Sequence, residues 1–324
     1  MPIRFTSPSL GGHRQVFLGA GEWEAGASYR RLTADDWFVG DEIHPELSPG
    51  GEPNRFNIST VDLSLAYGIT DRLNLRLTVP LSTGTNSRIH GDGTRRETSA
   101  TGVGDINLVG SLWLLDPRAH PGGNVSLGLG VKAPTGSNDV AGEFGLASGE
   151  VVQHPVHPGL QLGSGGWGIQ VELQAYQRLY GRLSGYLFGA YQMTPEEQTD
   201  ILFTPTAPAS TLSIYDVYHA RAGLGYAAWP EQGLSLSLGV RRDGIPVRDV
   251  LGKDAGFRAP GHITYLDPGV ALVRGPGVFT LSIPVRLEGE FKRNVNALNG
   301  VPGPSGDQGD LASYLIFFGY AHRF

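Results

Sequence analysis

A chain of 324 residues with 48 Gly, 22 Pro, no Cys and a formal net charge of −6 has room for one large domain or two ordinary ones. The missing cysteines exclude thiolate metal sites, cysteine nucleophiles and disulfide staples, and they fit a protein that crosses an oxidising periplasm unfolded. A mild acidic excess with no basic patch excludes nucleic acid as the natural partner. No apolar run reaches the roughly 18 to 20 residues of a membrane-spanning helix.

Met1-Pro2-Ile3-Arg4 lacks the charged, apolar and small-residue regions of a signal peptide, so the chain reads as a mature or trimmed form. Residues 1–21 read as an N-terminal extension, luminal or periplasmic. From residue 22 onward the apolar period is two. A first strand is expected near 22–32. The clearest pair covers 58–83, where Val61, Leu63, Leu65 and Tyr67 alternate with Asp62, Ser64 and Ala66. After the turn at 70–72, Leu73, Leu75, Leu77, Val79 and Leu81 alternate with Asn74, Arg76, Thr78 and Pro80. The same alternation predicts strands at 104–114, 124–133, 167–178, 183–192, 217–228, 234–243, 262–273, 278–291 and 311–324. In 183–192, Leu183 and Leu187 compete with Tyr186 and Phe188 for the apolar face. In 262–273, Pro268-Gly269 predicts a bulge.

Connection lengths choose among all-β folds. Short connections at 70–72, 115–123, 179–182, 229–233 and 274–277 alternate with long polar ones at 33–57, 84–102, 134–158, 193–210, 244–261 and 292–310. A sandwich mixes its connection lengths. Strict alternation, with an even strand count, is the pattern of a transmembrane, antiparallel, up-and-down β-barrel with short periplasmic turns and long extracellular loops. Residues 22–324 are therefore expected to form a single barrel of about twelve strands in the bacterial outer membrane. Lipid, lipopolysaccharide and the barrel assembly machinery are its expected partners. Aromatic residues near strand ends, among them Trp23, Tyr67, Tyr180, Tyr226 and Trp229, suit interfacial girdles. The terminal stretch from Tyr314 to Phe324 ends its apolar face on Phe, like the signal read by the assembly machinery.

Four motifs in order resemble the outer-membrane "transporter" family named for the MetA pathway of phenol degradation. They are Gly102-Val-Gly-Asp-Ile106, Gly130-Val-Lys-Ala-Pro-Thr-Gly136, Gly159-Leu-Gln-Leu-Gly-Ser-Gly165 and Ser282-Ile-Pro-Val-Arg286. The resemblance covers roughly residues 58 to 324 and leaves 1–57 unplaced. It implies a barrel that moves small, often aromatic or apolar compounds, and it carries over no site residues.

Parity assigns the polar face to the lumen, giving Arg76, Asp105, Lys132, Glu172, Arg221, Arg241, Asp243, Arg286 and Glu288 as lumen-lining candidates. These charges are either mutual ion pairs or a path on which Arg76, Lys132, Arg221 and Arg241 form a cationic ladder for anionic solutes. His219, Ser237 and Asp243 share the inward parity, so a barrel hydrolase is weighed and ranked low. No Gly-x-Ser-x-Gly elbow is present. His154-Pro-Val-His157-Pro could offer two imidazoles to a metal, but each following Pro disfavours a helix and the i,i+4 zinc geometry. No cofactor, metal or enzymatic activity is expected. The expectation is a channel or uptake barrel for small aromatic or apolar solutes, with loops 134–158 and 193–210 as selectivity elements. The alternative is a plugged structural barrel whose loops bind other surface proteins.

Overall fold

The computed structural model describes residues 17–48, 51–203 and 210–324. The first half of the barrel comprises β1 (Trp23–Val39), β2 (Arg55–Gly68), β3 (Leu73–Ile89), β4 (Arg95–Val103 with Ile106–Trp113), β5 (Gly123–Ala133) and β6 (Gly168–Tyr180). The second comprises β7 (Leu183–Met193), β8 (Val217–Trp229), β9 (Leu234–Ile245), β10 (Gly261–Arg274), β11 (Gly277–Ser282 with Val285–Phe291) and β12 (Gln308–Arg323). Each strand pairs antiparallel with the next, and β12 pairs back onto β1 from Glu24↔Arg323 to Val39↔Gln308. The result is an all-β, twelve-stranded closed barrel, as the alternation requires.

One face of each strand carries exposed apolar side chains, among them Leu65 on β2, Leu77 on β3, Leu129 on β5 and Leu238 on β9. The next residue along each strand points inward, and buried Asp62, Ser126 and Arg241 lie on that face. Such a band would aggregate in water; in a bilayer it is solvated by lipid. At the turn end Trp23, Tyr180, Tyr226 and Trp229 stand exposed in a ring, and Trp23 packs on Tyr67 with centroids 4.5 Å apart. On β7, Leu187 takes the outer face while Tyr186 and Phe188 are buried within, which settles the ambiguity of that strand. Leu129 is 66% exposed near the middle of β5. Leu129→Arg is expected to lower stability by about 2–4 kcal/mol, the cost of a lipid-facing cation deep in the bilayer, read as a lower urea midpoint after folding into vesicles.

Two departures from the expected elements follow from what surrounds the strands. β1 and β3 have 17 residues each, against the roughly 9 to 11 that cross a bilayer. Their surplus, with Arg95–Val103 of β4, rises beyond the loop end as a sheet in the stretches 33–57 and 84–102 that the sequence reads as loops. Here both faces meet water or loop, so the apolar alternation vanishes. Two loops also form short hairpins, Ala141–Gly145 with Val151–Pro155 and Gln198–Leu202 with Thr211–Ser213.

The expected bulge at Pro268-Gly269 lies elsewhere. β10 pairs with β9 without interruption through Leu238↔Pro268 and Ser237↔Gly269. The break is on the other side, at Ile283-Pro284 between the halves of β11, where Ile283 N donates to the Pro268 carbonyl. A strand residue aims its N–H and C=O to the same side, so the donor that Pro268 lacks is missing where β11 should pair. Pro80 on β3 does the same to β4. Gly104 N bonds the Pro80 carbonyl, and β4 breaks at Gly104-Asp105.

Residues 1–16, most of the expected N-terminal extension, lie outside the described residues. Residues 17–21 fold across the turn end with Phe17 and Leu18 buried, and Gly21 N bonds the Gly68 carbonyl at 2.8 Å.

Candidate functional site

The segment between β5 and β6 turns into the barrel. Val156 and Leu160 join a buried cluster with Leu32, Phe56, Tyr265 and Leu315, and Leu162 packs against it. This inward loop packs the loop half of the lumen. Gln161 braces it, its side chain bonding both the amide and the carbonyl of Val140 at 3.1 and 3.0 Å.

The base of the loop is held by one carboxylate. Asp105, placed inward by the break in β4, accepts from Lys132 Nζ at 2.8 Å, Gly136 N at 3.1 Å, Ser164 N at 2.9 Å and Ser164 Oγ at 3.2 Å. Lys132 Nζ also bonds Ser164 Oγ and the Gly166 carbonyl. The two ends of the loop cross here so closely that a Cβ on Gly163 would lie 2.3 Å from the Gly136 carbonyl oxygen. Only glycine permits that approach. Three of the four motifs noted in the sequence thus converge on one point. The fourth marks the break in β11. Its second half pairs with β12 only through Val285↔Tyr314. Arg286 spans the missing ladder, bonding the Leu311 carbonyl at 3.2 Å and Asp36 at 2.6 Å.

Four further inward cations of the transmembrane lumen are also matched. Arg76 meets both oxygens of Glu172 at 2.9 and 3.1 Å, and Arg30 meets Asp62 at 2.9 Å. Arg221 lies 2.5 Å from Asp267. Arg241 and His219 share Asp243, each at 2.8 Å. The cationic ladder is therefore not what the structure places in the lumen, because Arg76, Lys132, Arg221 and Arg241 each have a carboxylate at hand. Long side chains stripped of water in a narrow barrel find counter-ions on neighbouring strands, since an uncompensated charge there costs several kcal/mol. Glu288 is a second correction. A register shift between Thr264 and Tyr265 leaves Arg286 opposite inward Tyr265 but turns Glu288 opposite Thr264. Glu288 faces outward, 58% exposed, and bonds Thr264 Oγ1 at 2.8 Å.

Ser237 lies opposite Gly225, six positions along β9 from Asp243, or about 20 Å at the rise of a strand. It takes no part in a triad with His219, whose partner carboxylate is already clamped by Arg241. Beneath Leu160 and Leu162 a cavity of about 120 Å³ remains, bounded by Arg30, Asp62, Arg76, Glu172 and Lys132. Sequence reasoning missed Ser164, Gly163 and Gln161. The Gly-rich spacing of 159–165 was the one available signal.

The imidazoles of the inward loop are packed. His154 lies 5.4 Å from the Phe144 ring and His157 4.8 Å from Phe56. Gly159 N donates to His157 Nδ1 at 3.0 Å. No group of three potential metal ligands occurs among the described residues. Burial, with the Arg88 charge nearby, pushes His157 down to about 3 and His154 downward too. His90, which also packs against Phe144, is lowered mainly by burial. The sign follows from linkage. A released loop protonates near the ordinary imidazole value of about 6.5 while the folded one resists, so loop stability is full above that pH and falls as the pH drops toward 3. Hydrogen exchange over residues 140–160, corrected for intrinsic rates, is expected to quicken between pH 7.5 and 5, and His157→Phe to remove much of that dependence.

Fold, outward apolar band and aromatic ring together define a transmembrane barrel of the bacterial outer membrane. Among solved structures the chain is similar to the COG4313 outer membrane channel from Pseudomonas putida F1, over 99% of this chain and 100% of that one, with a TM-score of 0.64 at 16% identity. At that identity the likeness is one of fold. A TodX deltaS2S3 mutant, a monoaromatic hydrocarbon channel, aligns over 94% of this chain and 91% of its own, with a TM-score of 0.48 and 10% identity. The P. putida toluene transporter TodX aligns over 94% and 89%, with a TM-score of 0.43 and 11% identity. No family model and no curated protein matches the sequence.

Proposed function

We propose that this barrel conducts small solutes, aromatic or apolar, across the outer membrane, and that the inward loop is its gate. The observation that carries the reading is the fastening at the base of that loop, Asp105 with Lys132, above a cavity lined by paired charges. A barrel built only as a surface scaffold could fill its lumen with wall side chains. Here a loop fills it, and a loop can be withdrawn. The name of the solved channel of the same fold supports the same reading, and the converging motifs support membership of the MetA-pathway transporter family. Lipid and lipopolysaccharide around the apolar band, with the assembly machinery that inserts the barrel, are the partners this reading implies. Paired charges make conduction weakly selective for ion sign.

A plugged barrel with a binding role for its loops is the second reading, favoured by the packed cluster around Leu160. Single-channel recording separates the two. The conduction reading expects brief openings in the wild type and a several-fold higher open probability in Asp105→Ala. Silence of both proteins sinks it and leaves the plugged barrel.

A further inference from the structure

Outside the transmembrane lumen, the inward loop and the loop between β7 and β8 enclose a second cavity, of about 240 Å³. Its walls are mainly apolar, formed by Phe144, Val156 and Pro158 from one loop and by Leu202, Phe203 and Leu212 from the other. Phe203 is held flat against Phe257, centroids 3.8 Å apart, and Phe144 packs against His90 and His154. These are rigid aromatic surfaces. A cavity of about 150 Å³ accommodates one benzene, so this one has space for a ring with substituents.

Two polar groups in the lining have no hydrogen-bond partner among the described residues, and they are complementary in kind. Arg88, on the inward side of the β3 extension, has its guanidinium 5.2 Å from the Phe144 centroid. Unlike Arg76 or Arg241, it has no carboxylate within ion-pair distance among the described residues. A half-buried cation against apolar walls is costly until an anion joins it. His154 bonds the Pro155 carbonyl through Nδ1 at 2.8 Å. A carbonyl can only accept, so Nδ1 carries the proton and Nε2 the lone pair. That Nε2 is buried with no hydrogen-bond partner. The cavity thus offers a donor that calls for an anion, an acceptor that calls for a hydroxyl, and flat apolar walls between them.

We propose that this cavity is a binding site for a hydroxylated aromatic carboxylate, with its ring between Phe144 and Phe203, its carboxylate on Arg88 and its hydroxyl donating to His154 Nε2. The inference is independent of conduction, since it concerns capture between the outer loops and not passage through the lumen.

Isothermal titration of the detergent-solubilised full-length protein with 4-hydroxybenzoate, benzoate and phenol tests it. Saturable binding of 4-hydroxybenzoate is expected, with benzoate about 5- to 10-fold weaker for want of one hydrogen bond. Arg88→Gln should weaken 4-hydroxybenzoate at least 10-fold and phenol less than 2-fold. His154→Phe should abolish the preference for 4-hydroxybenzoate over benzoate. Retention of the compact mobility of unheated protein on gels shows each variant folded. Absence of saturable binding to the wild type would overturn the proposal, as would equal loss of acid and phenol in Arg88→Gln. So would binding that is lost in Arg76→Gln and kept in Arg88→Gln, which would put the ligand in the lumen. Saturable, Arg88-dependent binding by a barrel that stays electrically silent would support this site and sink only the conduction reading.

Discussion

Asp105→Ala is expected to release the inward loop and to destabilise the protein by about 3–5 kcal/mol, the range for a buried ion pair that loses one member. Lys132 is 2% exposed. With Asp105 gone it loses that carboxylate while keeping the neutral oxygens of Ser164 and Gly166. Gly136 N and Ser164 N lose their acceptor at the same time, so both ends of the loop come loose together. Limited proteolysis should then cut between residues 134 and 167 far faster than in the wild type, while the barrel strands stay resistant. The double variant Asp105→Leu with Lys132→Met removes the stranded charge and should recover much of the global stability without refastening the loop. A loop as resistant in Asp105→Ala as in the wild type would rule this carboxylate out as the anchor.

Asp243→Ala should cost a similar 3–5 kcal/mol, for a different reason. Arg241 is clamped by this carboxylate through Nε at 2.8 Å and Nη2 at 3.2 Å, with its guanidinium over the Phe317 ring at 4.5 Å. His219 depends on the same group. One truncation therefore takes the carboxylate from two buried groups at once. The urea midpoint after folding into vesicles should fall, with Asp243→Asn intermediate because it keeps an acceptor oxygen. If Asp243→Ala instead leaves the midpoint in place while changing ion selectivity, Arg241 acts on solute and the clamp is incidental.

The barrel was legible in the sequence wherever one strand face meets lipid and the other does not. Leu73 to Leu81 alternate because lipid solvates one side of β3 and the charged interior meets the other. Past Ser82 that asymmetry ends, and with it the signal, although β3 continues to Ile89. Glu288 was misplaced for a related reason. Parity is a counting argument, and one register shift beside Leu287 reverses it. The lumen charges were identifiable by type but not by partner. Arg76 and Glu172 sit 96 residues apart, on strands separated by two others, and no local spacing encodes that match. The fastening of the inward loop showed only as glycines. Their clustering was visible, whereas the reason for it, two chain segments crossing within contact of Asp105, belongs to the third dimension.

The seam between β1 and β12 has a consequence for how the molecule comes into being. It joins residue 24 to residue 323 and residue 39 to residue 308, so the longest ladder in the protein links the two ends of the chain. Pairings of such sequence separation form late and slowly, because the intervening chain must be ordered first. No N-terminal portion emerging ahead of the rest can close on itself. Until the last strand arrives, both edges stay unpaired and open to any other strand, a hazard that grows with time spent in water. A chain of this topology must be held unfolded until it is complete, and its closing step should appear as the slowest phase of refolding.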